Sequence, residues 1–212
     1  MITLSSGALL SVARRAAEAT TYHGDNPLIA TVFSAFGIEA WVNELLHQVR
    51  HTAEPYRLAP LDRLYPMIAA ARLQERSTSL RTRLDVIGTV VRGDGWNLGQ
   101  QPFQDLDLLL DVRNELAHVR PDMTLVDMYE DDNGNLHMRQ EELAKIAERL
   151  VQANIVSRPS ASDITPLLRL LQERSVGTWA YRTARASIAA VRSFATGTEW
   201  ELACGVATGS TG

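Results

Sequence analysis

A chain of 212 residues, 45% of them hydrophobic, carries enough apolar material for one substantial core or two small ones. A single cysteine, Cys204, excludes a disulfide scaffold, and the composition excludes a mainly disordered or collagen-like chain. The net charge of -4, from 25 acidic and 21 basic residues, argues against a wide basic surface for duplex nucleic acid but leaves room for a local basic pocket.

The opening stretch, MITLSSGALLSVARR, places its arginines after the apolar residues, the reverse of a signal peptide. No uninterrupted apolar run reaches the ~18 to 20 residues of a membrane span. The expectation is a cytoplasmic chain with no membrane partner. Residues 5 to 19 predict a first helix with a serine cap. Turn residues 21 to 26 follow, and Pro27 at a first-turn position opens a long helix, LIATVFSAFGIEAWVNELLHQV, with Asn26 as candidate cap. This helix is apolar around most of its circumference, which predicts the centre of a bundle.

After the turn-like HTAEPYRLAP, residues 61 to 76 predict a helix that Pro66 kinks or delays, and Ser77 or Thr78 is the expected cap of SLRTRLDVIGTVVR. Residues 93 to 102 form a glycine-rich loop in which Trp96 is the aromatic best placed to touch a partner. FQDLDLLLDVRNELAHVR should stop near Arg120, because Pro121 follows. Between 124 and 139 the period changes: TLVDMY and NLHMR flank EDDNG, and Asn133-Gly134 favours a tight turn, so a β-hairpin is expected. EELAKIAERLVQANI, DITPLLRLLQERS and TWAYRTARASIAAVRSF predict three more helices, and the tail after Gly197 reads as frayed. The expected organisation is one helical domain over residues 1 to 200, with a disordered tail from 201 to 212.

Familiar catalytic signatures are absent: no phosphate-binding glycine loop with its lysine, no nucleophile elbow, no His-Glu-x-x-His. His47 and His51 share helical spacing but have no carboxylate beside them, so no metal is expected. Asp127, Glu130, Asp131 and Asp132 do not match a calcium loop. Arg72, Arg76, Arg81 and Arg83 sit near one helix junction and would suit tracking of a single strand, but read first as ordinary solvated helix-face arginines. The informative stretch is Asp111 to His118. At 100 degrees per residue, Leu108, Leu109, Leu110, Val112, Leu116 and Ala117 fall on one broad side, and Asp107, Asp111, Asn114 and His118 cluster opposite. Arg113 falls among the apolar positions, where a guanidinium must snorkel, pair with a carboxylate or line a wet groove. Glu39 and Asn43, four apart on the central helix, are its expected partners. These residues would serve equally as a buried polar network that sets helix register.

FSAFGIEAWVNELL together with LLLDVRNELAHVRP resembles the HEPN (higher eukaryotes and prokaryotes nucleotide-binding) family over residues 26 to 121. The family marker is an arginine and a histidine with four to six residues between them, often with a polar residue after the arginine. Arg113, Asn114 and His118 meet it. The resemblance implies an all-α HEPN-like helical bundle, here with a small β-hairpin insertion around 124 to 139, that forms a homodimer and places two motifs at a shared cleft. It also implies a metal-independent endoribonuclease of toxin or antiviral-defence type, without cofactor, with RNA as substrate and an antitoxin protein as partner. The alternative it carries is an inactive module that binds a protein, a nucleotide or RNA. Arg113, Asn114 and His118 are then the catalytic candidates, and Glu39, Asn43 and Asp111 the supporting network. RNA supplies its own nucleophile, the 2′-hydroxyl, so cleavage needs a proton acceptor, a proton donor and positive charge at phosphorus. An imidazole and a guanidinium meet those needs. Arg113 and His118 lie about 140 degrees apart on an ideal helix, so a dimer combining both chains is expected to complete the site.

Overall fold

The computed structural model describes residues 5–19, 24–56, 66, 78–93, 95–97, 99–117, 127–130, 136–139, 143–158 and 167–196. Helix α1 (Ser6–Glu18) starts where the Ser5 hydroxyl accepts a hydrogen bond from the Ala8 amide. Its first turn is also held from outside. Glu44 of α2 (Asn26–Tyr56) accepts hydrogen bonds from the Ser6 amide at 2.7 Å and from the Ser6 hydroxyl at 2.6 Å. A carboxylate there satisfies free amides and the positive end of the helix dipole together.

Helix α2 continues through residues 51–56, which the sequence predicts as turn-like. It is the spine of the bundle and packs against α1, α3 (Leu80–Arg92), α4 (Phe103–Ala117) and α7 (Arg174–Ala195). Its segment Asn26–Gln48, with mean hydropathy 1.3, is long and apolar enough to cross a membrane, and half of the most apolar window is buried inside the protein. The expectation that no such segment exists is corrected. It counted unbroken apolar runs, whereas Glu39, Asn43 and Glu44 interrupt an average that stays high.

The cap of α3 is Ser79, not Ser77 or Thr78: its hydroxyl accepts from the Thr82 amide at 3.1 Å. The helix ends on Gly93 at φ 87°, whose amide donates to the Thr89 carbonyl. Helix α5 (Leu143–Gln152) ends in a Schellman turn. Asn154 takes φ 56°, its amide reaches the Val151 carbonyl, and the Ile155 amide reaches that of Leu150. Short α6 (Leu167–Leu171) precedes α7, so the single helix expected over 163 to 175 is divided.

Two apolar clusters meet along α4. Leu106, Leu109 and Leu110 join Trp41, Leu84, Ile87 and Ile188, while Leu108 and Val112 join Leu150, Leu171 and Val176. Trp179 packs against both clusters. Trp96 is buried at 5% exposure, stacked on Phe103 at 4.6 Å, with its indole N–H donating to the Leu84 carbonyl. Its expected role as a partner-contacting loop residue is therefore corrected. A loop can fold a large apolar ring inward when a helix carbonyl accepts its one polar atom.

The expected fold class, a HEPN-like bundle with a hairpin inserted over 124 to 139, is also corrected. The packed bundle, seven helices among the described residues, contains no β-strand. The only strands among the described residues, Asp127–Glu130 and Leu136–Arg139, form a two-stranded antiparallel pair of their own. Their register sets Glu130 opposite Leu136, and the Asn133-Gly134 turn expected between them lies outside the described residues. No relation to the HEPN fold is shown. The helix expected over 61 to 76 (apart from Pro66) and the tail from 201 to 212 lie outside the described residues.

Candidate functional site

Helix α4 presents its polar residues in two directions, because its two flanks face different apolar clusters. On one side Arg113 reaches back to α2. Its Nη2 donates to Glu39 Oε2 at 2.6 Å and its Nη1 to Asn114 Oδ1 at 2.9 Å. The guanidinium also lies 5.3 Å from the ring centre of Phe36. Phe36 and Glu39 are three apart on α2 and so occupy neighbouring positions of one helix face. Side-chain exposure is 25% for Arg113 and 34% for Glu39, so the pair is half-buried rather than sealed. Arg113 Nε is buried without a hydrogen-bond partner among the described residues.

On the other side, Asp107 and Asp111, four apart, face away from Arg113. Arg81 of α3 holds both, Nε to Asp107 and Nη2 to Asp111 at 2.6 Å each. Arg149 of α5 holds the same two carboxylates at 3.2 and 2.5 Å. Burial lowers the Arg81 pKa, but its hydrogen bond to Asp111 and the charges of Asp111 and Asp107 outweigh that, and the net shift is upward. This ring of two arginines and two aspartates ties α3 and α5 to α4.

The expected network is therefore brought together only in part. Glu39, Arg113 and Asn114 meet. Asn43 does not join them: its Oδ1 accepts from Arg83 Nη1 at 2.6 Å, and Arg83 is buried. Asp111, expected in the supporting network, belongs instead to the arginine-aspartate ring and faces away from Arg113. The reason is helical: positions 111 and 113 are about 200 degrees apart. His118 lies outside the described residues. Sequence reading missed Arg81, Arg83 and Arg149 as partners. The outward Asp107/Asp111 pair was the available signal, but it does not say which cations, 26 to 42 positions away in the chain, will reach it.

No protein-family model, curated protein or solved structure matches this chain. The toxin or antiviral-defence identity implied by the HEPN resemblance has no family match behind it and is withdrawn; the all-α bundle and its polar site stand. Among the described residues, no group of three or more His, Cys, Asp or Glu side chains could hold a metal ion.

Proposed function

We propose that the chain cleaves RNA without a metal, at a site formed by Arg113, Asn114 and His118 and completed by a second copy of the chain in the cytoplasm. The observation that carries this reading is the half-open guanidinium of Arg113. An arginine has five N–H donors. Glu39 and Asn114 take one each and Nε is buried, which leaves one N–H on each Nη for a phosphate. Glu39 orients the group, and the two remaining donors suit bidentate contact with phosphate oxygens. The 2′-hydroxyl attacks the adjacent phosphorus, the 5′-oxygen leaves, and His118 moves a proton on or off one of these oxygens.

The dimer is supported by an apolar face beside the arginine. Ile29 and Phe36, seven apart on α2, are exposed at 38% and 41%. A two-fold contact on this face would bring both Arg113 side chains to one seam. The test is RNA incubated with purified protein in EDTA. Cleavage is expected, with loss of activity in His118→Ala at unchanged melting temperature, and loss of activity on dilution to monomer. Intact RNA, or full activity in His118→Ala, overturns the reading.

The Glu39 contact at 2.6 Å favours a second reading, an inactive module in which the pair clasps α4 to α2. Under it, RNA stays intact and Arg113→Ala lowers stability alone.

A further inference from the structure

The arginines around α4 all have anionic or amide partners, whereas three exposed arginines of α7 do not. Two open grooves, of about 580 and 500 Å³, run along α7 and share Thr178, Arg182 and Ala186. Neither is lined by Arg113 or Glu39. Arg174 lines the first, Arg185 the second and Arg182 both. Arg174 and Arg182 make no ion pair or hydrogen bond among the described residues, and Arg185 rests only against the Tyr181 ring, at 6.0 Å. The facing acids are Asp105, already engaged by Gln101 at 2.9 Å, and Glu18. Three arginines without an ion pair therefore lie along one helix against two lining carboxylates, a local excess of one positive charge in a chain whose net charge is -4.

We propose that these two adjoining grooves along α7 bind single-stranded nucleic acid, with Arg174, Arg182 and Arg185 on phosphates of one strand and Tyr181 stacking on a base. It extends the RNA reading above by giving the strand a path separate from the cleavage site. From Arg174 to Arg185 the helix rises about 16 Å, which suits a short footprint, on the order of 4 nucleotides. Charge in an open channel beside an aromatic ring is the pattern that tracks a strand without reading its sequence. An enclosed small-molecule site would instead bury its ligand.

The test titrates labelled oligouridylate against His118→Ala protein in EDTA, across a range of salt. Each phosphate contact on a single strand contributes a slope of about 0.7 in log K against log salt. Arg182→Ala/Arg185→Ala should lower the slope by about 1.4, which is about 25-fold in affinity near 0.1 M salt relative to a 1 M reference. Glu18→Gln should tighten binding, and Tyr181→Phe should retain it. These arginines are exposed, so circular dichroism should show the fold intact. Binding within twofold of the parent with an unchanged slope overturns the proposal. So does no binding by the parent, or equal competition by polyglutamate, which would mark the groove as a surface for acidic proteins. Binding with the expected slopes but no cleavage by the wild-type protein leaves the groove standing and removes the proposed nuclease activity.

Discussion

Removing the Glu39 carboxylate gives the sharpest test of how Arg113 is held. Exposed ion pairs contribute about 0 to 1 kcal/mol, and breaking a fully buried one costs about 3 to 5 kcal/mol. With side chains 25% and 34% exposed, the Arg113–Glu39 pair falls between these limits. Its 2.6 Å charged hydrogen bond points to about 1 to 2 kcal/mol for Glu39→Ala. For a chain of this size that is a fall in melting temperature of about 2 to 8 °C. Urea denaturation of Glu39→Ala, Arg113→Ala and the double variant isolates the pair, and the coupling energy should be about 1 kcal/mol. Arg113→Ala alone should cost slightly more than Glu39→Ala, because it also removes the contact over Phe36. A coupling below about 0.3 kcal/mol would refute the reasoning: the pair would then be solvated in solution and Arg113 held by something else.

Asp111→Ala should cost about 0.5 to 1.5 kcal/mol, since Arg81 and Arg149 are near 40% exposed and can turn to water, and it should leave RNA cleavage unchanged. Denaturation and a cleavage assay check both halves. Gly177→Ala should destabilise by about 1 to 3 kcal/mol, because its Cβ would sit 2.8 Å from the Pro27 Cα where α7 crosses α2. Gly37→Ala should be milder in the same melting assay. Its Cβ would meet Leu10 Cδ2 at 2.6 Å and Cγ at 2.8 Å, side-chain atoms rather than the backbone met at Gly177, and it gains up to about 1 kcal/mol of helix propensity. Trp96→Phe should lower stability by about 1 to 2 kcal/mol through loss of the hydrogen bond to Leu84 and of buried ring area, again read by melting.

Local sequence determined much of the helical layout. Apolar spacing marked α2, α4 and α7, the serine before SGALL capped α1, and Arg113 stood out as a cation on an apolar stripe. These features depend on neighbours within a turn or two, where helical geometry is the same in any fold. Tertiary structure decided which charges meet. It paired Glu39 with Arg113 but Asn43 with Arg83, and it drew Asp111 to Arg81 and Arg149. It also turned Trp96 inward and left three α7 arginines unpaired beside two grooves. Each outcome depends on how helices far apart in the chain pack together, and ion-pair energies change with burial and distance too steeply for spacing along one helix to select the partner.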